Sequence, residues 1–532
     1  MQRTIRNLRG SIRLKGALAL ALVALGDALF FERGLGGGYF GFYFLALLTA
    51  LTIARPGVRH DRRAWPAVLL AASYALSMCY DASLLSWTMF WVAAGMATLL
   101  PATSAFDDGW RWLQRLVYHG LAACVGPLLD ATKLMRVRGA RPALRISLQQ
   151  SMPVLALPLI GSAVIIGLFS AANPVLEQLL LSIHLPEIDF SSFARLMLWT
   201  VMLTMSWALL RPRLPRRLIG TFDGSGDLAL PGVSVSSVTL SLIVFNMLFA
   251  LQNMMDLAWL WGLMSLPEGM TLAQYAHRGA YPLIATALLA ALFVLVTLRP
   301  GSTTAQVPAV RRLVVLWIGQ NLFLVASSVL RTLDYVDAYS LTRLRISALV
   351  WMGLVGIGLV LICWRMLRGR SAGWLINANL AAAGALLTGC CFVDLGAVAA
   401  QWNVRHAREV DGNGAGLDLC YLSDLDGSAL LALIELEQRK LPGDLNDRVH
   451  IVRQRLHARL IDSISKGGWT WRGERRLEEA ARRLGVQALP RDDGRYDCTG
   501  KLIPVPMHAT DAIVSGDSVS RQVRPLTETT ER

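Results

Sequence analysis

Residues 346–364 read ISALVWMGLVGIGLVLICW, a run without a single charged side chain. A helix needs about 20 apolar residues to cross the hydrocarbon core of a bilayer. Because unpaired backbone groups are costly in lipid, a run of this kind is expected to be helical. The stretch therefore predicts a membrane-spanning helix.

Similar runs recur through the first 400 residues. The 532-residue chain is 54% hydrophobic, above the roughly 45–50% of ordinary soluble domains. Eleven spans are predicted, at about 14–31, 39–54, 65–80, 83–100, 152–171, 193–210, 234–262, 279–298, 312–330, 346–364 and 374–400. The predicted fold class is all-α, a polytopic transmembrane helical bundle that occupies residues 1–400.

Basic residues are distributed unevenly along the chain. Residues 1–400 contain 32 Lys and Arg against 17 Asp and Glu, whereas residues 401–532 contain 20 of each kind. If the N-terminus is cytoplasmic, 26 of the 32 basic residues fall on the cytoplasmic side. This positive-inside pattern predicts a multi-pass protein of a bacterial cytoplasmic (inner) membrane with its tail in the periplasm. The lipid bilayer explains the excess charge, so no nucleic-acid partner is expected.

The composition changes abruptly after residue 400. Residues 401–505 contain segments with a 3.6-residue apolar period, which predicts a small helical extramembrane tail. Residues 506–532 are rich in Ser, Thr, Asp and Arg, a composition typical of disorder. The tail contains two cysteines, Cys420 and Cys498, and a periplasmic tail would permit a disulfide between them.

The long connection 101–151 decides on which side of the membrane the tail lies. It includes WRWLQRLVYHGLAACVGPLL, in which Arg111, Arg115 and His119 interrupt the apolar residues. A helix that lies in the membrane interface fits this pattern better than a twelfth span. A twelfth crossing would place the tail in the cytoplasm.

The segment 330–345, LRTLDYVDAYSLTRLR, is predicted to be a connection on the outer side. Its three arginines oppose the charge bias of that side, so they need a local reason. Pairing with Asp334 and Asp337 is one explanation. An anion site is the other, because arginine presents a planar fork of donors to carboxylate or phosphate.

Two further polar clusters are predicted on the outer side. EGMTLAQYAHRGAYPL contains Tyr275 and Arg278, which fit either a site or an interfacial aromatic belt. The segment after the last span contains Asn403, Arg405 and Asp418, which fit either the same site or a solvated loop.

Inside the membrane, the span 234–262 contains a polar stripe. Asn246, Asn253 and Asp256 share one face of a helix, and ionisable residues in lipid are functional candidates. Hydrogen bonds that merely hold helices together are the alternative.

Catalytic signatures such as GxSxG, HExxH, GxGxxG and the P-loop do not occur. The sequence therefore predicts no catalytic residue, no metal site and no cofactor, and it leaves enzymatic activity without support.

The three outer clusters resemble the bacterial membrane family known as domain of unknown function 4173, which is related to 4153. The matching positions are Tyr275, Ala276, Arg278, Gly279, Tyr339, Leu341, Thr342, Leu344, Arg345, Asn403, Asp418, Tyr421 and Leu422. Ser340 stands where that family commonly has glycine. The resemblance covers about 235–425 and implies no activity, because the family is uncharacterised.

These patterns favour a membrane protein with an outer-leaflet polar pocket that binds or transports a small polar or anionic solute. One alternative is an envelope sensor or assembly protein with a protein partner. Another is a membrane enzyme that acts on lipid-linked substrates, for which Asp334 and Asp337 form a compact carboxylate pair. The candidate ligand-binding residues are Asn253, Asp256, Tyr275, Arg278, Asp334, Asp337, Arg343, Arg345, Asn403 and Asp418.

Overall fold

The computed structural model describes residues 2–31, 33–34, 36–103, 106–137, 162, 190–220, 234–260, 285–286, 289, 292–293, 302–439, 441, 443–485 and 495–503. Within these residues the regular secondary structure is helical, apart from one antiparallel bridge between Tyr496 and Leu502. The predicted all-α class is therefore confirmed for this part of the chain.

The helices are numbered in chain order. They are α1 (Gln2–Phe30), α2 (Tyr39–Ala54), α3 (Pro56–His60), α4 (Trp65–Tyr80), α5 (Leu84–Leu99), α6 (Gly109–Val137), α7 (Phe190–Leu210), α8 (Val235–Leu260), α9 (Thr303–Gln306), α10 (Pro308–Tyr339), α11 (Arg343–Arg368), α12 (Ala372–Phe392), α13 (Leu395–Arg405), α14 (Arg408–Asp411), α15 (Leu419–Asp424), α16 (Leu430–Gln438), α17 (Leu445–Ser465) and α18 (Trp471–Leu484).

Six helical segments of the described residues are long and apolar enough to cross a membrane. They are Leu84–Ala102, Ser191–Leu210, Val235–Ala258, Pro308–Tyr339, Arg343–Arg368 and Ala372–Phe392. Helices α2 and α4 are apolar but shorter, at 16 residues each. The chain is thus built as a membrane-embedded protein, but the predicted count of eleven spans is not confirmed. The predicted spans at 152–171 and 279–298 lie almost wholly outside the described residues.

Helices α1, α2, α4, α5 and α7 pack around one hydrophobic core. The rings of Phe44 and Phe90 stack with centroids 4.0 Å apart, and the Tyr43 hydroxyl bonds that of Ser206 at 3.0 Å. Gly41 lets α2 approach α4 closely, since a Cβ there would overlap the carbonyl oxygen of Ala75. Small residues at such contacts are typical of membrane helix pairs. A second core joins α8, α10, α11 and α12.

The connections between helices divide between two faces of the bundle. One face, called the tail face below, includes the connections 36–38, 81–83, 340–342 and 393–394. Here the Gly38 amide donates to the carbonyl of Trp469, and Arg472 pairs with Asp81. Segments of the C-terminal tail therefore cover this end of the bundle.

The other face, called the opposite face, includes the connections 55–64, 100–103, 211–219 and 369–371. Arg55 Nη1 donates to the carbonyl of Thr98 at 2.7 Å, and Gln114 Nε2 donates to that of Ile219 at 3.0 Å. The same connections fall on two alternating sides in the topology predicted from loop charges. The geometry of the described helices thus agrees with that alternation.

Helix α6 lies across the opposite face. The Gly109 amide bonds Asn377 Oδ1 at 2.7 Å near the start of α12, and Trp207 Nε1 donates to Asp130 at 3.0 Å near the end of α7. Both neighbours lie at helix ends of the same face, so α6 runs along this face and does not pass between the faces. This position fits the predicted interfacial helix.

The segment 330–345 is mostly helix, although it was predicted to be a connection. Helix α10 continues to Tyr339, and only Ser340, Leu341 and Thr342 link it to α11. Ser340 ends the helix with a φ of 70°, a value that favours glycine. Charged residues near a membrane surface are compatible with a helix that projects beyond the lipid, so the charge pattern did not mark its end.

The tail packs on the bundle through a shared core. Leu419, Leu433 and Val452 of the tail belong to one buried cluster with Val336 of α10 and Ala399 of α13. Cys420 and Cys498 form a disulfide with Cα atoms 4.7 Å apart. The described part of the tail, up to residue 503, is therefore an ordered helical unit on the tail face.

Candidate functional site

A buried ion pair joins two helices within the apolar part of the bundle. Arg331 of α10 contacts Asp256 of α8, and both side chains are almost fully buried. Asp256 also accepts hydrogen bonds from Gln252 Nε2 at 2.9 Å and Ser327 Oγ at 3.0 Å. The carboxylate therefore has three partners in a place where an isolated charge would be costly.

The predicted polar stripe on α8 faces α10. Asn246 Nδ2 donates to the carbonyl of Leu313 at 3.1 Å, and Asn253 Nδ2 donates to that of Gln320 at 3.3 Å. Together with Asp256, these residues link one helix pair along its length. The observed contacts are interhelical hydrogen bonds, as the alternative explanation of the stripe predicts.

At the tail face, Asn403 holds the link between α10 and α11. Its Oδ1 accepts from the Leu341 amide at 2.6 Å, and its Nδ2 donates to the Leu341 carbonyl at 2.9 Å. The Arg343 amide donates to the Tyr421 hydroxyl at 2.8 Å. Two of the three predicted outer clusters, the segment 330–345 and the segment after the last span, are therefore in contact.

The arginines of this link already have partners. Arg345 donates to the carbonyls of Tyr339 and Ser340 and lies over the Tyr335 ring, 4.1 Å from its centroid. A cation at the C-terminal end of a helix is stabilised by the carbonyls there. The Arg345 guanidinium thus caps α10.

Arg343 and the carboxylate Asp394 meet at Ser428. Arg343 Nη2 is 3.3 Å from Ser428 Oγ, which donates to Asp394 at 3.0 Å. Asp394 also caps α13 and pairs with Arg476 of α18. Burial alone would raise the pKa of Asp394, but Arg476 outweighs it and the pKa is lowered. This carboxylate therefore ties the tail to the bundle.

Asp81 is the second anchor of the tail, and its environment differs. Arg472 pairs with it, donates to the Phe392 carbonyl at 3.0 Å and lies 4.5 Å from the centre of the Tyr80 ring. Burial raises the pKa of Asp81 despite the attraction of Arg472. Arg472 and Arg476 of α18 thus connect the tail to Asp81 and Asp394 of the bundle.

A cavity of about 260 Å³ lies beside this junction. Its lining comes from the end of α10, the end of α13 and the turn after α14, and it consists of Val336, Asp337, Ser340, Trp402, Asn403, His406, Asp411, Asn413, Gly414 and Ala415. It is called the junction pocket below. The Trp402 and His406 rings stack with centroids 3.9 Å apart. The ionisable lining residues are two carboxylates and one histidine.

The predicted site residues are distributed over several places. Asp337 and Asn403 line the junction pocket, while Asp418 caps α15 through the Tyr421 amide at 2.9 Å. Asp334 is exposed on α10. Asn253 and Asp256 lie in the α8–α10 contact, away from the pocket. Tyr275 and Arg278 lie outside the described residues.

Sequence reasoning missed several lining residues of the pocket. Trp402, His406, Asp411 and Asn413 were not predicted as site residues, although the segment DGNGAGLD signals a turn by its three glycines. The signal available in the sequence was this turn, which begins with the carboxylate of Asp411 and follows the aromatic residue Trp402. Within the described ranges, no group of three or more His, Cys, Asp or Glu side chains is arranged to hold a metal ion.

Comparison with known proteins places the chain in a family. No curated protein and no solved structure matches it. A family model described as "Domain of unknown function (DUF4153)" matches residues 64–436, well over half of the chain. Membership of the related family 4173, which the sequence motifs favoured, is not shown. The matched segment includes the buried ion pair, the junction pocket and the Asn403 contact, and the chain belongs to the DUF4153 family.

Proposed function

We propose that this membrane protein binds a small, positively charged polar solute in the junction pocket. The observation that carries the proposal is the lining, in which Asp337 and Asp411 supply carboxylates and Trp402 an aromatic ring. Carboxylates and an aromatic face are the groups that hold ammonium ligands. None of the described lining residues is Lys or Arg.

The sequence favoured a small polar or anionic solute, whereas the solute proposed here is positively charged. That expectation depended on Arg343 and Arg345, whose side chains contact Ser428 and the end of α10. The pocket beside them presents carboxylates. A cation is therefore the better match to the groups that line the cavity.

The position of the pocket supports a sensing role as the second candidate function. Asp337 and Ser340 of the pocket follow Arg331 by six and nine residues along α10. At about 1.5 Å per residue, these positions are on the order of 10 Å from the ion pair. A solute in the pocket would contact α10, the helix whose Arg331 pairs with Asp256 of α8.

We further propose that the tail face meets an oxidising compartment outside the cytoplasm. The disulfide between Cys420 and Cys498 supports this, since such bonds persist in oxidising compartments. The excess of basic residues in connections of the opposite face also supports it.

The proposal is tested by thermal unfolding of the purified protein in lipid nanodiscs. Choline and putrescine, added separately, are expected to raise the unfolding temperature, whereas glutamate and glucose are not. A ligand at 100 times its Kd stabilises the folded state by about 2.7 kcal/mol.

Variants show whether the effect belongs to the pocket. The double variant Asp337→Asn/Asp411→Asn should lose the shift, while Asp424→Asn, an exposed tail carboxylate outside the lining, should keep it. No shift with either cation, or an equal shift in the double variant, would contradict the proposal. Cation uptake into vesicles that contain the protein would favour transport over sensing.

A further inference from the structure

Four basic side chains converge at one corner of the opposite face. Lys15 of α1 lies close enough to Arg55 and Arg211 for their charges to interact. Arg213 follows two residues after Arg211, and its Nη2 donates to the Gly126 carbonyl at 3.0 Å. These four residues, Lys15, Arg55, Arg211 and Arg213, are called the basic corner below.

The basic corner has little compensating negative charge within the described residues. Asp130 of α6 lies 3.0 Å from Arg213 and 3.5 Å from Arg211. His119 adds no charge near neutral pH, because burial and the nearby Arg55 lower its pKa to about 4. Asp130 thus pairs with only two of the four cations, and the mutual repulsion of the cations favours an additional anion.

The neighbouring surface of α6 indicates where this anion would come from. Leu121 and Leu128 of α6 are 71% and 70% exposed, and Leu113 and Val117 also point away from the protein. A helix with an exposed apolar face that lies along a membrane surface buries that face at the boundary of headgroups and acyl chains. The basic corner, formed by the middle of α1 and by the residues that follow α2 and α7, then lies at headgroup level.

We propose that the basic corner binds the phosphate group of an anionic phospholipid. Arginine offers a planar set of donors that fits phosphate oxygens, and basic pockets between membrane helices favour such headgroups. The site is separate from the junction pocket and does not depend on the solute proposed for it.

The test uses the full-length protein in detergent micelles with a measured unfolding temperature. Phosphatidylglycerol, phosphatidylcholine and inorganic phosphate are added separately. Phosphatidylglycerol is expected to raise the unfolding temperature more than phosphatidylcholine does. In Lys15→Gln/Arg211→Gln this difference should fall by at least half.

A matched control removes two cations from the same face outside the corner. Arg59 and Arg62 are exposed, so Arg59→Gln/Arg62→Gln should keep the full lipid difference. If the corner double variant does not fold, the single change Lys15→Gln at a half-buried position gives the same readout. Equal effects of the two lipids, or an undiminished difference in the corner variant, would overturn the proposal. A shift of the same size with inorganic phosphate would overturn the lipid as the ligand.

Discussion

The side-chain amide of Asn403 pairs with both backbone polar groups of Leu341, at 2.6 Å and 2.9 Å. Both residues are buried, and they join α13, which leads into the tail, to the link between α10 and α11. A side chain that satisfies an N–H and a C=O at once fixes the link where neither group can reach water.

Replacing Asn403 with leucine should destabilise the protein by about 2–4 kcal/mol, because two buried backbone groups lose their partners. Chemical unfolding of the purified protein in detergent measures this. Asn379→Leu is the matched control, since among the described residues the Asn379 amide donates to the Leu375 carbonyl of its own helix. If the two variants lose similar amounts of unfolding free energy, the Leu341 contact has no special role.

Replacing only one partner of the intramembrane ion pair should destabilise the fold more than replacing both partners. Asp256→Asn or Arg331→Met alone is expected to cost about 3–5 kcal/mol, because one buried charge loses its partner. The double variant should cost clearly less than the sum of the two. A double-mutant cycle from unfolding in nanodiscs measures the coupling, and additive losses would argue against a direct pair.

The tail should lose stability in acid. Glu437 accepts from Arg453, whose side chain is completely buried, and from His450. Burial would raise the pKa of Glu437, but Arg453 and His450 outweigh it and hold the pKa below its ordinary value of 4.5. A carboxyl with a depressed pKa stabilises the fold above its ordinary value, and this contribution is lost as the pH falls through the folded-state pKa.

Glu437→Gln should therefore lower stability at pH 7 and flatten its pH dependence below about pH 4.5. Unfolding temperatures between pH 3 and 7 measure both effects. Glu479→Gln serves as the control, since Glu479 pairs with Arg482 and Arg483 at the surface. A Glu437→Gln variant with the wild-type pH profile would contradict this account.

Loss of the disulfide should loosen the tail. Closing a loop of 78 residues stabilises a fold by roughly 4 kcal/mol in the chain-entropy description. Cys498→Ser should thus increase proteolysis of the tail, whereas Cys124→Ser, at an exposed free cysteine, should not. Equal proteolysis of the two variants and the wild type would show that the bond does not stabilise the tail.

The sequence predicted membrane helices, six of which the described residues contain, because apolar length is a local quantity. Apolar length reports the passage through lipid, and Lys and Arg counts report the side on which a connection lies. The face of α8 that contains Asn253 and Asp256 was also predictable, since helical period depends only on spacing.

The pairing of these residues was harder to predict. Arg331 was counted as an outer charge because it begins a polar stretch, yet the helix continues past it for eight residues and buries it against Asp256. The junction pocket combines segments more than 60 positions apart, Asp337 and Trp402 among them. Hydropathy and spacing do not encode such long-range contacts.

The most direct measurement concerns a single cysteine at the rim of the junction pocket. Asn413 is exposed, so Asn413→Cys can react with charged methanethiosulfonate reagents that do not cross membranes. In intact spheroplasts the cationic reagent should react with this cysteine roughly tenfold faster than the anionic one, because two carboxylates line the pocket. Asp337→Asn/Asp411→Asn should remove the preference, and the native Cys124 of the opposite face should stay unlabelled. Equal or faster reaction of the anionic reagent, or labelling only after the membrane is opened, would contradict a cation-binding pocket outside the cytoplasm.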